Sequence, residues 1–126
     1  MFRDNNMKVY CVVKADIICE SFIKAYSIKE KAVKYAMSLA KDETKNIIYR
    51  VDTFEIDDDM PVDNKIYGIF RSSERCDEIY ELFGNKQTCK DKISWLNSNL
   101  DEIEPMDDVE FIMKEVSLDK SNPNDF

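Results

Sequence analysis

The amino-acid sequence predicts an α+β protein made by tandem duplication of a β-β-α-β unit, with two helices packed on a mostly antiparallel sheet. Three observations predict it. First, shifting the chain by 57 residues aligns the first two-thirds of each half without a gap. Val9-Tyr10 falls on Ile66-Tyr67, Val12-Val13-Lys14 on Ile69-Phe70-Arg71, Cys19 on Cys76, Tyr26 on Phe83 and Leu39 on Leu96. Second, each half runs through the same periods: two, two, helical, then two again. Third, the closing segments share a phase break once an insertion of five residues is allowed in the second half. Apolar residues stand at 49 and 51, then 54 and 56, and in the second half at 111 and 113, then 116 and 118. A matched break in a period of two predicts a β-bulge in both last strands.

The elements follow in order. Residues 8–14 and 65–71, rich in Val, Ile, Tyr and Phe, read as first strands. Second strands are expected near 20–26 and 78–83. The first helix is expected to open at Ser27, with Glu30 three residues on as a capping box. Its apolar face uses Ile28, Ala32, Ala36 and Leu39, flanked by Val33, Met37 and Ala40. The second helix opens near Asn85 and aligns Cys89, Ile93, Leu96 and Leu100, with Trp95 beside them. Third strands are expected near 47–57 and 109–118. This divides the chain into a disordered extension (1–7), a first repeat (8–57), an acidic connection (58–64), a second repeat (65–119) and a disordered tail (120–126). A unit of about 50 residues with one helix buries little surface alone, so the copies are expected to pack together.

Composition narrows the function classes. The 126 residues are 44% hydrophobic, enough for a modest core and too apolar for a disordered chain. No apolar run reaches the roughly 18 residues of a membrane span, and Met1-Phe2-Arg3-Asp4-Asn5-Asn6 lacks the apolar stretch of a signal peptide. The four cysteines, Cys11, Cys19, Cys76 and Cys89, form no C-x-x-C pair and read as reduced thiols. A cytoplasmic protein without membrane contact is expected. Histidine is absent, which removes the commonest general base and metal ligand and rules out a Ser-His-Asp triad. Gly68 and Gly84 are the only glycines, so no phosphate-cradling glycine loop exists. No enzyme, and no cofactor, is expected.

The net charge of −8 is uneven. Residues 1–56 hold 10 Lys and Arg against 8 Asp and Glu, whereas residues 57–126 hold 8 against 18. An acidic half repels nucleic acid and competes with it for basic protein surfaces. No direct nucleic-acid binding is expected.

The first repeat also carries a resemblance. Met7-Lys8-Val9-Tyr10, then Ala25-Tyr26-Ser27 leading into Lys29-Glu30-Lys31-Ala32, then Phe54-Glu55-Ile56-Asp57, resembles a family of small phage-type proteins. Their units run from a strand to a second strand ending Phe-Ser-Thr, a helix opening Lys-Glu-Lys-Ala and a closing strand ending Glu-Leu-Asp. The second repeat departs, with Gly84-Asn85-Lys86-Gln87 at the helix opening. The resemblance implies a phage or mobile-element origin and, in that setting, an inhibitor of the anti-CRISPR kind. It brings no catalytic residues.

Two acidic segments are the candidate partner-binding residues. Asp57, Asp58, Asp59 and Asp63 fill the connection; Asp101, Glu102, Glu104, Asp107, Asp108 and Glu110 lie between the second helix and its strand, where the insertion falls. Ordered carboxylates can mimic a phosphate backbone and occupy the Lys/Arg groove of a host nucleic-acid enzyme, a Cas effector being the suspected partner. The bland reading of the same residues is a solubilising acidic surface. Asp57-Asp58-Asp59 starts like an EF-hand loop, but Pro61 and Val62 stand at the turn and Gly68 at the twelfth position, so no metal site is expected. Cys19 and Cys76, at equivalent positions, read either as small packed cysteines or as a redox or metal pair across a pseudo-two-fold axis. Lys29, Lys31, Lys34, Lys41 and Lys45 read as a solvated helix face rather than a phosphate site. A second function class is a ligand-binding module, its cleft between the repeats lined by Tyr10, Tyr26, Tyr67 and Phe83.

Overall fold

A computed structural model describes residues 7–41, 46–74, 76–103 and 108–119. The first repeat holds β1 (Met7–Ala15), β2 (Glu20–Tyr26), α1 (Lys29–Ala40) and β3 (Ile48–Ile56). The second holds β4 (Lys65–Ser72), β5 (Asp77–Phe83), α2 (Lys86–Ser98), the short α3 (Leu100–Ile103) and β6 (Glu110–Ser117). The α+β class and the duplicated β-β-α-β order are as expected. Of the expected disordered ends, 1–6 and 120–126 lie outside the described residues, and Met7 opens β1.

The expectation of one sheet is corrected. The strands form two antiparallel three-stranded sheets, ordered β2-β1-β3 and β5-β4-β6. The reason lies in the central strands, which bury both faces. Val9 and Cys11 of β1 join Ile66 and Phe70 of β4, with Ile56, Leu82, Val116 and Leu118, in a core between the sheets. Tyr10 and Val12 point the other way, to Ala32 and Ala36 of α1. Tyr67 and Ile69 of β4 likewise meet Cys89 and Leu96 of α2. The layers therefore run helix, sheet, sheet, helix.

This layering also explains the phase break in the last strands, which is not a bulge. The β1·β3 and β4·β6 registers run without a shift. Tyr49 and Val51 lie under α1, whereas Phe54 and Ile56 face the inter-sheet core. Phe111 and Met113 lie under α2, whereas Val116 and Leu118 face the core. Each strand buries one face at its start and the opposite face at its end, and the apolar pattern changes parity in a regular strand. Bulges do occur at matched positions, but in the second strands. The register jumps between Val12 and Val13, leaving Ile23 extra in β2, and between Ile69 and Phe70, leaving Tyr80 extra in β5.

The expected capping box at Ser27 is corrected as well. Ile28 is the N-cap of α1 and offers no side-chain cap. Ser27 is taken instead by Asp119, which follows β6: its N–H donates to Asp119 Oδ1 at 2.8 Å and its hydroxyl to Oδ2. The reciprocal contact closes the other repeat. Asp58, which follows β3, accepts the N–H groups of Gly84 and Asn85 at 2.9 Å each, at the entrance to α2. Asn85 is the N-cap there, accepting from the Thr88 N–H, as the sequence suggests. Each repeat's last strand thus hands a carboxylate to the helix entrance of the other. Asp119 adopts φ 54° to do so, and its own N–H donates to Ala25 O, beside a parallel bridge between Ala25 and Leu118. Gly84 admits the clamp because a Cβ there would stand 1.7 Å from the Asp59 carbonyl oxygen.

On α1, Ala32 and Ala36 are buried as expected, but Val33 and Met37 are exposed. On α2, Cys89 and Leu96 are buried with Ile93 and Leu100 beside them, whereas Trp95 is exposed.

Asp58→Ala leaves two half-buried backbone donors without a carboxylate and is expected to cost about 1–3 kcal/mol. Asp119→Ala should cost a similar amount, and urea unfolding of the two single variants measures both.

Candidate functional site

The strands run between two ends of the sandwich, and the acidic residues divide between them. One end holds the β1–β2 and β4–β5 turns. Asp16 orders the first turn by accepting the N–H groups of Ile18 and Cys19 at 2.8 and 2.9 Å. Those backbone donors, Cys19 first, hold its carboxyl below the usual range. In the second turn, Ser73 takes the place of Asp16, with its N–H and hydroxyl both reaching Cys76 O. The strands that leave these turns, β2 and β5, pack against each other, and burial, then the neighbouring Cys19, pushes the Cys76 thiol up. The two turns therefore sit side by side.

Beside the second turn lies an open pocket of about 590 Å³. Glu74, Asp101, Asp108 and Glu110 line it, over Ser72, Ser73, Leu100 and Val109. Glu74 comes from the turn, Asp101 from α3, Asp108 from just before β6 and Glu110 from the start of β6, which is held to β4 by the Ser72–Glu110 pair. Asn97 of α2 fixes this strand start by exchanging two hydrogen bonds of 3.0 Å with the Phe111 backbone. All four carboxylates are exposed, and none forms an ion pair with a described residue. Glu102 is exposed on α3 nearby in sequence but does not line the pocket. Glu104 and Asp107 lie outside the described residues. Glu74 was not singled out from the sequence, where the 57-residue shift sets it against Ile17.

The first turn presents a different chemistry at the same end. Ile17 and Ile18 at its tip are 85% and 64% exposed. Ile48, paired with Ala15 at the start of β3, is 63% exposed. Sequence reading passed over all three because isolated apolar residues in a turn carry no period.

The remaining predicted acids stand at the opposite end, roughly 27 Å away along β3, and several serve the fold. Asp58 clamps the α2 entrance, and Asp59 accepts from the Asn85 amide at 2.7 Å. Asp63, with Asn64, adopts positive φ in the tight turn closed by the Lys65 N–H to Val62 O. Asp57 is exposed there. The ten predicted residues are therefore not one surface.

Tyr10 and Tyr26 pack under α1, and Tyr67 and Phe83 under α2. The space between the repeats is filled by the inter-sheet core, so these aromatics line no cleft there. Lys29, Lys31, Lys34 and Lys41 are exposed on or just after α1, and Lys45 lies outside the described residues. Among the described residues no group of three or more Cys, Asp or Glu could hold a metal ion, and no helix is long and apolar enough to cross a membrane. A scan against protein-family models finds no match, and neither do searches of curated proteins and of solved structures.

A partly exposed ion pair joins β5 to β6. Lys114 Nζ meets Asp77 at 2.8 Å and lies 4.8 Å from the centre of the Phe70 ring. The lysine, then the Ser72 hydroxyl, hold the Asp77 carboxyl below the usual carboxylate range. A carboxyl depressed in the folded state adds stability above its unfolded pKa, and that stability is lost as pH falls through its folded pKa. Asp77→Asn should therefore lower the urea midpoint at pH 7 and leave it unchanged near pH 2.

Proposed function

We propose that this is a small binding protein, not an enzyme, which docks its acidic end onto a basic groove of a nucleic-acid-handling complex and blocks nucleic acid there. The observation that carries the reading is the pocket rim of Glu74, Asp101, Asp108 and Glu110, four exposed carboxylates that form no ion pair with a described residue. Several carboxylates on the strands are paired instead: Glu20 and Asp52 share Arg50, and Asp77 holds Lys114. Exposed carboxylates at fixed spacing attract Lys and Arg from a distance and displace the counterions such a groove would release to DNA. Ile17, Ile18 and Ile48 add an apolar anchor beside them, the kind of contact that gives an electrostatic encounter its lifetime. The resemblance to small phage-type proteins points to a host defence nuclease, a Cas effector, as the complex to try first, and to the host cytoplasm as the place of action.

The test mixes the protein with purified Cas effectors and follows DNA binding and cleavage. The combined Asp101→Lys, Asp108→Lys and Glu110→Lys variant should weaken inhibition by roughly a hundredfold. Reversal of Glu30 and Glu55, exposed elsewhere, should change little. Inhibition that survives the first reversal undiminished overturns the reading.

A further inference from the structure

We infer that the outer edge of β3 is a self-association surface: two copies join antiparallel through β3, about a two-fold axis at Val51, into one continuous sheet. This inference does not depend on the docking reading.

Among the described residues β3 pairs with β1 alone, so it is an edge of its sheet. A strand edge is a template for another strand, and proteins guard such edges with bulges or lysines. The other three edges carry guards of this kind. β2 and β5 hold the bulges, at Ile23 and Tyr80, and pack against each other. β6 carries an exposed lysine, Lys114. β3 runs from Ile48 to Ile56 in unbroken register with β1 and contains no lysine, proline or glycine.

The strand is complementary to itself in one register. Antiparallel strands related by a two-fold axis oppose residues of the same face. An axis at Val51 sets Arg50 of each copy opposite Asp52 of the other. An axis at Arg50 or at Asp52 would oppose like charges, and one at Tyr49 or Thr53 would oppose Arg50 to an isoleucine. Arg50 and Asp52 already meet within one copy, Nε to Oδ1 at 2.7 Å, and both side chains stay part-exposed, so the second copy's charges can reach them.

α1 brings a second, independent match. The helix lies over β3 and β1 more than over β2. Its Tyr35 leans to the β2 side, with its ring centre 6.0 Å from that of Tyr26. A helix turns about 100° per residue, so Val33 stands on the opposite flank, above the β3 edge, with Met37 one turn on. Both are exposed, Met37 at 62%. The second repeat supplies a comparison within the same chain. At the equivalent places α2 carries Lys90, Ser94 and, in place of Ala40, Asn97, all polar. The flank of α2 near Asn97 is the one that meets β6, through the Asn97 bonds to the Phe111 backbone. The apolar flank therefore accompanies the unguarded edge, and the polar flank accompanies the guarded one. With neighbouring strands about 4.8 Å apart, a helix seated between β1 and β3 stands about 5 Å from the new seam. The two α1 helices then lie about 10 Å apart, the distance at which helices pack, and Val33 and Met37 of each copy leave water against the other.

The experiment follows sedimentation velocity of the full-length protein from about 1 µM to about 0.5 mM. A reversible monomer–dimer equilibrium is expected. The combined Val33→Lys and Met37→Ser variant gives α1 the flank residues of α2, and should weaken the dimer by roughly tenfold or more while the dilute monomer unfolds at an unchanged temperature. Cysteine cross-linking then reads the register. Val51→Cys, oxidised in the dimer with copper phenanthroline, should link residue 51 of one copy to residue 51 of the other by peptide mapping, and Thr53→Cys should give no link between its own two copies. A chain that stays monomeric throughout, a dimer indifferent to the helix variant, or a link at 53 in place of 51 would each overturn the inference.

Discussion

A single helix covers only one face of a three-stranded sheet, and in this chain both faces of each sheet are apolar. That constraint governs the rest of the structure. β1 places Tyr10 and Val12 under α1 but leaves Val9 and Cys11 on the other side, and β4 repeats the arrangement. The uncovered faces can leave water only against one another. Burying a Val, Leu, Ile or Phe is worth about 1.5–3 kcal/mol, so the seven such residues of the inter-sheet core contribute on the order of 10–20 kcal/mol before entropy. A whole domain has a net stability of about 5–15 kcal/mol. Neither sheet can forgo that contact. The reciprocal aspartates then fix how the sheets meet: Asp58 and Asp119 each leave their own repeat and satisfy the backbone donors at the other's helix entrance.

Duplication gives the protein one frame with two differently furnished ends. Where the 57–64 connection lies, polar residues answer to the fold. Asp58 holds backbone, Asp59 holds the Asn85 side chain, and Asp63 and Asn64 take left-handed turns. At the end that holds the β1–β2 and β4–β5 turns, the copies have diverged. Ile17 in the first turn corresponds to Glu74 in the second, and Ile48 at the start of β3 corresponds to Glu110 at the start of β6. The same backbone positions carry an aliphatic tip in one copy and an acidic rim in the other. These differing positions are exposed, which is why the proposed function is placed there.

Much of this was legible in the sequence because the duplication reads the pattern twice. Strand and helix positions follow from period and from the 57-residue shift, and Asn85 was recognisable as a helix start. The number of sheets was not legible, because periodicity tells which face is apolar and not what covers it. The phase break at 51–54 was visible, but a bulge and a change of buried face give the same apolar spacing. Only the regular β1·β3 pairing separates them. The capping box failed because Ser27 had a stronger partner 92 residues away. For the site, the excess of acid in the second half was plain from composition. Its division between a structural end and a free end was not, since Asp58 and Asp108 differ only in what the fold brings beside them.

Interdependence of the two repeats is the central claim, and native-state hydrogen exchange tests it most directly. With the sheets sharing one core and exchanging clamps, the slowest amides of β1 and of β4 should open at the same free energy and shift together with denaturant. If the amides of one sheet exchange through an opening several kcal/mol below the other's, the repeats are separable units and the account is contradicted.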